Sequence, residues 1–135
     1  MAEYSGLERR KFNRLPIFLP VDFLLFDTAE SKQLTGVTHA WAKNVSAGGL
    51  LLETATLPAK WLNDLIGGRI KMMLEFKIPA TNDSIQTFAN VVWMTRRREP
   101  ENNAESLQIG LSFAAINAED CERINKFVLK NTTKK

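Results

Sequence analysis

A short basic run near the amino terminus has the residue types needed to hold an anion. Arg9, Arg10 and Arg14 come just before the first apolar segment of the chain. A guanidinium group is planar and carries five N–H donors, so it can bind two phosphate oxygens or the edge of a guanine, and it also stacks on base faces. Because Arg10 and Arg14 are four residues apart on a polar segment, they could clamp a compact anion from one side.

A second polar group follows later in the chain, in a stretch rich in glycine. Asn44 and Ser46 carry short side chains that can bond either a ligand or their own backbone. Gly48 and Gly49 come next, and without Cβ atoms they let a ligand approach backbone amides and permit positive φ angles. Such a turn facing an arginine clamp makes a pocket for a nucleotide, although the same residue pattern is also that of a tight turn that binds nothing.

The rest of the sequence offers little for catalysis or metal binding. His39 and Cys121 are the single histidine and the single cysteine of the 135 residues. This disfavours a zinc site of histidine and cysteine ligands, and the sequence marks no acid–base pair and no nucleophile with its base. We therefore predict a binding protein rather than an enzyme, with no metal and no cofactor.

Composition predicts a cytoplasmic protein. Hydrophobic residues make up 44% and charged residues 24%, which is typical of a soluble globular domain. No run of about eighteen apolar residues is present, the first residues lack a secretory leader, and a lone cysteine fits a reducing compartment. The net charge is +3, and the four basic and two acidic residues of 1–14 contribute +2 of it.

Alternation of apolar and polar residues predicts six β-strands. They cover residues 17–27, 37–44, 50–54, 69–78, 85–95 and 106–113. Pro20 marks an edge or a bulge in the first of them. Two helices are predicted, a short one over 58–66 between strands and an amphipathic one over 118–130, which Asn117 caps.

Six short strands followed by a helix indicate a mainly β fold, a six-stranded antiparallel β-barrel with a C-terminal α-helix. The predicted organisation is a flexible amino-terminal segment over 1–14 that carries the arginines, a barrel with its helix over 15–130, and a disordered tail over 131–135. Since barrels fill their interior with alternate side chains, function is expected in the loops, the outer face and the amino-terminal segment.

The two polar groups together resemble the paired signature of PilZ domains, which are bacterial receptors for the second messenger cyclic di-GMP. Arg10-x-x-x-Arg14 and Asn44-x-Ser46-x-x-Gly49 stand in the order of that signature. The likeness continues in the strand that contains Val91-Val92-Trp93 and in residues 109–113 with the helix after them. It covers roughly residues 8–130 and implies a six-stranded β-barrel with a C-terminal helix.

The resemblance implies a nucleotide-binding, ligand-switched signalling protein. The residues that it assigns to cyclic di-GMP are Arg9, Arg10, Arg14, Asn44, Ser46, Gly48 and Gly49. Trp93 is a further possible contact, although a tryptophan in a strand is more often buried. Binding would fold the arginine segment over the barrel and alter a surface read by an unidentified effector protein of the motility, pilus, polysaccharide or regulatory machinery.

Two other functions are open from the sequence. One is a PilZ-like protein-interaction module that binds no nucleotide. The other is a small barrel that binds single-stranded nucleic acid, which requires exposed aromatic and basic residues interleaved on a sheet face and is disfavoured by the low net charge, so no DNA partner is predicted. The oligomeric state is also open, because an exposed barrel edge could pair with a second copy of the chain.

Overall fold

Seven strands and two helices make up the part of the chain that the computed structural model describes, residues 15–55, 57, 59–79, 81, 83–98, 100, 101 and 105–132. The strands are β1 (Leu15–Asp27), β2 (Lys32–Gln33), β3 (Thr38–Val45), β4 (Gly49–Thr54), β5 (Ile70–Lys77), β6 (Ser84–Arg98) and β7 (Glu105–Ala114). The helices are α1 (Leu62–Gly67), after a 3-10 turn over Ala59–Trp61, and α2 (Ala118–Thr132). The six predicted strands and both helices are present, and β2 is an addition between the first two predicted strands. The predicted segment 1–14 and residues 133–135 of the predicted tail lie outside the described residues. The prediction of a disordered tail is wrong for Asn131 and Thr132, which continue α2.

Six of the strands close into an antiparallel barrel in the order β1-β3-β4-β7-β6-β5, and β5 pairs back onto β1. The predicted fold, a mainly β six-stranded barrel with a C-terminal helix, is confirmed. Its interior is filled by the alternate apolar side chains of each strand, and Leu25, Leu52 and Met72 among them are fully buried. Since the interior is packed, polar chemistry is confined to the outer face and the barrel ends.

Strand β1 changes partners along its length. Its first part pairs with β3, and from Asp22 onward it also pairs with β5. The register of β1 against β3 shifts between Pro16 and Leu19. Pro20 lies before Asp22, where the pairing with β5 begins, so its missing N–H removes no hydrogen bond to β5. Leu15 pairs with Val45, so the chain enters the barrel beside the end of β3.

An ion pair at the end of β1 holds the turn after α1. The Arg69 Nη2 donates to Asp27 Oδ2 at 3.0 Å, and Asp27 Oδ1 accepts the amides of Ala29 and Glu30. Burial by itself raises the pKa of Asp27, but the hydrogen bonds from Arg69 and the two amides outweigh it and hold that pKa below its ordinary value. Asp27 is therefore a structural carboxylate at a strand end.

Helix α2 covers the opposite end of the barrel. It begins as predicted, with Asn117 Oδ1 accepting the amide of Asp120 at 2.7 Å, and Ile124 joins the core. The Cys121 thiol donates to the carbonyl of Ala47 at 3.7 Å, so the helix contacts the turn between β3 and β4 directly. Among the described residues, no helix is long and apolar enough to cross a bilayer.

Candidate ligand-binding site

The turn between β3 and β4 is organised by the hydroxyl of Ser46. The Ser46 Oγ accepts a hydrogen bond from the Gly48 amide at 3.2 Å and donates one to the Gly49 carbonyl at 3.3 Å. The Ser46 amide donates to the same carbonyl at 2.9 Å, and the residue is only 8% exposed. Of the two roles that the sequence allowed for this serine, bonding to its own backbone is the one observed.

The two glycines of the turn are joined to β7. The Phe113 amide donates to the Gly48 carbonyl at 2.9 Å, and Gly49 pairs with Ser112. A Cβ atom on Gly49 would lie 2.0 Å from the carbonyl oxygen of Leu111, closer than any real contact. Neither glycine has the positive φ that the sequence analysis allowed for. Glycine is required at position 49 because two backbones meet there.

Asn44 is the polar side chain of this turn that remains available to a ligand. It pairs with Pro16 on one side and Leu51 on the other, next to a bulge at Lys43, and it is half-buried. The adjacent Val45 points into the core, so Asn44 faces outward. Its amide has no hydrogen-bond partner within the described ranges, which leaves two N–H donors and one carbonyl acceptor free.

The different roles of the two polar side chains predict different effects on stability. Ser46→Ala removes both side-chain bonds of a buried turn, so we expect the free energy of unfolding to fall by about 1 to 2 kcal/mol. Asn44→Ala removes no side-chain hydrogen bond to any residue that the structure describes, and it should change the free energy of unfolding by less than about 0.5 kcal/mol. Urea unfolding of both variants measures the difference, and equal losses would contradict the assignment.

Cross-strand pairing extends the outer face from this turn to β6. Asn44 pairs with Leu51, Leu51 with Gly110, and Gly110 with Trp93. Residues that are directly paired on antiparallel strands face the same side of the sheet, so Trp93 shares a face with Asn44. The indole lies over Gly110, where a Cβ atom would be 2.3 Å from the Trp93 Nε1. The side chain therefore covers part of the surface between the two strands.

The expectation that Trp93 is buried is wrong, because its side chain is 42% exposed. The cause is a bulge: the register of β6 against β7 shifts between Val91 and Trp93. Val91 points into the core, and regular alternation would send Trp93 inward as well. Val92 takes up the extra position and is 63% exposed, which turns the indole outward.

The predicted ligand arginines Arg9, Arg10 and Arg14 lie outside the described residues. Their point of attachment is nevertheless fixed, because Leu15 follows Arg14 in the chain and pairs with Val45. Consecutive Cα atoms are about 3.8 Å apart, so the arginine motif is joined to the barrel next to the Asn44–Gly49 turn.

The second basic cluster of the sequence, Arg96–Arg98, does not join this turn. It lies on the far part of β6, beyond Trp93, where Arg97 pairs with Ser106. Arg98 forms an ion pair with Glu105, and the hydrogen bond and the charge of that arginine lower the pKa of the Glu105 carboxyl.

Sequence reasoning missed three polar residues that pairing places in a row leading away from the turn. Ser112 pairs with Gly49 and with Asn90, and the Lys71 ammonium donates to Asn90 Oδ1. No local pattern marks these residues, since they come from three different strands.

Residues 8–130 match the PilZ domain family. The chain belongs to the PilZ family. The matched range includes both the basic run and the Asn44–Gly49 turn, so the two halves of the candidate site fall within one PilZ domain.

Several solved structures share the fold of this PilZ domain. The inhibitor of motility (MotI/DgrA) of Bacillus subtilis is similar with a TM-score of 0.67 and 18% identity, over 94% of this chain and 52% of that one. The PilZ domain of Escherichia coli YcgR with c-di-GMP is similar with a TM-score of 0.60 and 12% identity, over 90% of each chain. The MrkH–c-di-GMP complex of K. pneumonia is similar with a TM-score of 0.61 and 20% identity, over 94% of this chain and 55% of that one.

The TM-scores show a common fold, although the sequence identities are 20% or less. The chain spans about half the length of the inhibitor of motility and of MrkH. No curated protein sequence matches it significantly.

Proposed function

We propose that this PilZ protein is a receptor for cyclic di-GMP and acts as a switch, not as an enzyme. The ligand binds between the arginine-bearing residues 1–14 and the outer barrel face at the Asn44–Gly49 turn. The observation that carries the proposal is the pairing of Leu15 with Val45, because it attaches the first half of the signature beside the second half. Membership of the PilZ family and the c-di-GMP complexes of the relatives YcgR and MrkH support it.

Each part of the site has a separate task in this proposal. The forks of Arg10 and Arg14 neutralise phosphate charge and bind guanine edges, and Arg9 stacks on or bonds a guanine. The free amide of Asn44 binds the ligand directly, whereas Ser46 fixes the shape of the turn. The bare backbone at Gly48 permits close approach of the ligand, whereas Gly49 lets β4 and β7 meet behind the turn.

Trp93 supplies a stacking surface for a guanine. Its indole is exposed and lies on the same outer face as Asn44. Strands β4 and β7 lie between the two residues, so they are three strand spacings apart, or about 14 Å along the barrel surface. Base–aromatic stacking contributes about 1 to 3 kcal/mol per base, enough to matter for affinity.

The signal reaches an effector through the ordered segment and through α2. Binding arranges residues 1–14 on the barrel, which changes the surface that a partner protein meets. The turn also contacts α2, since the Ala47 carbonyl accepts the thiol of Cys121. The partner belongs to the motility, pilus, polysaccharide or regulatory machinery of a bacterial cytoplasm. Residues 1–14 are the ligand-closing segment in this proposal, and residues 15–130 are the barrel with its helix.

The proposal is tested by thermal melting with and without cyclic di-GMP. A ligand at one hundred times its dissociation constant should stabilise the protein by about 2.7 kcal/mol. A single-stranded oligonucleotide serves as the comparison, and it should have no such effect. Equal stabilisation by the oligonucleotide that disappears in moderate salt would instead indicate nucleic-acid binding. No stabilisation by cyclic di-GMP would leave the protein-interaction module as the function.

An exposed aromatic pair favours that module as the second candidate function. Phe18 on β1 and Trp41 on β3 are both exposed, with ring centroids 6.4 Å apart in an edge-to-face arrangement. The Lys43 ammonium lies 5.9 Å from the centroid of the Phe18 ring. Aromatic side chains are enriched at the centres of protein interfaces, and this pair borders the proposed ligand site because Lys43 precedes Asn44.

A further inference from the structure

We infer that Lys71 binds the second phosphate of the proposed ligand, across the barrel face from the arginine segment. The inference rests on the proposed function and adds a cation that the PilZ signature in this sequence does not contain. It follows from three observations: the pairing that leads from the turn to Lys71, the absence of a carboxylate partner among the described residues, and the direction from which the lysine approaches.

Pairing forms a continuous polar row from the turn to Lys71. Gly49 pairs with Ser112, Ser112 pairs with Asn90, and the Lys71 ammonium donates to Asn90 Oδ1. The ammonium therefore lies at β6, although the lysine belongs to β5. Strand β6 is two strand spacings from β4, which is roughly 10 Å. Ser112, Asn90 and Lys71 are all half-buried, so their side chains form part of the barrel surface and do not project into solvent.

The charge of Lys71 is available to an anion. Lys43 on the same outer face is ion-paired with Glu53 at 3.3 Å. Lys71 has no carboxylate within ion-pair distance among the residues that the structure describes. Its ammonium has three N–H donors, and the bond to Asn90 uses one of them. Asn90 thus holds the cation in place without neutralising it.

The ligand needs cations in two places. A cyclic dinucleotide carries two phosphodiesters on opposite sides of one macrocycle, each with a negative charge. The arginine segment joins the barrel at β1, beside β3, because Leu15 pairs with Val45. Lys71 approaches from β5, at the other side of the turn. Between them, the Ser112 hydroxyl has no hydrogen-bond partner within the described ranges and can donate to a phosphate or a ribose.

Calorimetric titration of cyclic di-GMP into Lys71→Gln tests the inference. We expect about tenfold weaker binding than for the unmodified protein, because one charge-assisted hydrogen bond is lost. Lys77→Gln is the matched control, since Lys77 is an exposed lysine of the same strand, and its affinity should be unchanged. Lys71→Arg should retain most of the affinity. The difference between Lys71→Gln and the unmodified protein should shrink at high ionic strength, as screening requires.

The outcomes separate this inference from the proposed function. If the unmodified protein does not bind cyclic di-GMP, the proposed function fails. If it binds and Lys71→Gln binds as well as Lys77→Gln, the inference is overturned and the proposed function stands. A loss in Lys71→Gln that is independent of salt, or that accompanies a lower melting temperature without ligand, assigns the lysine a structural role and also overturns the inference.

Discussion

Gly49→Ala is expected to lower the free energy of unfolding of this PilZ domain by about 3 kcal/mol and to remove cyclic di-GMP binding with it. The new Cβ atom would lie 2.0 Å from the Leu111 carbonyl oxygen and 3.2 Å from the Ser112 Cα. Both are backbone atoms, so no side-chain rotation can relieve the contact. Strands β4 and β7 would have to separate, and the turn that Ser46 organises would move with them. Urea unfolding measures the loss, and calorimetry measures the binding.

Gly36→Ala provides the control for this change. A Cβ atom on Gly36 would meet no atom within 4 Å, and that glycine has no positive φ. We expect its stability to change by less than about 0.5 kcal/mol. If Gly49→Ala proved as stable as Gly36→Ala, the close approach of β4 and β7 at Gly49 would be contradicted. The steric reason for a glycine at this position of the motif would then be wrong as well.

The strands could be predicted from the sequence because each is long enough for alternation to be visible. Residues 70–77 alternate buried and outward positions without interruption, and the sequence shows the same period of two. Six such segments limit the fold to a small barrel or sandwich, and the terminal helix has an N-cap, Asn117, that is also local. Strand β2 was missed because its two residues, Lys32–Gln33, carry no alternation at all.

The candidate site was predictable only in part, because its two halves differ in what sets their geometry. The Asn44–Gly49 turn is local, so its residues could be named from spacing. The outward position of Trp93 depends on a bulge at Val92. A bulge adds one residue to a strand and so reverses the alternation of inward and outward side chains after it, and no residue pattern in this sequence marks its position. The row of Ser112, Asn90 and Lys71 depends on register across three strands, which no single segment encodes.

Arg10→Ala and Arg14→Ala should each weaken cyclic di-GMP binding by about a hundredfold, or roughly 2.7 kcal/mol. Each change removes a planar fork that can make two charge-assisted hydrogen bonds to one phosphate or guanine. Both residues precede Leu15, the first residue of β1, so the melting temperature without ligand should stay within about 2 °C of the unmodified protein. Calorimetric titration gives the affinities, and a melting curve without ligand accompanies each variant.

Arg97→Ala and Arg10→Lys decide whether the affinity comes from net charge or from a specific fork. Arg97 is exposed on the far part of β6, so its loss removes the same charge away from the turn and should change affinity by less than about twofold. Arg10→Lys keeps the charge but loses bidentate geometry, so we expect an affinity between those of the unmodified protein and Arg10→Ala. If Arg97→Ala lost as much affinity as Arg10→Ala, the basic residues would attract the dinucleotide only through their summed electrostatic field. The arginine motif would then have no role as a clamp at the Asn44–Gly49 turn.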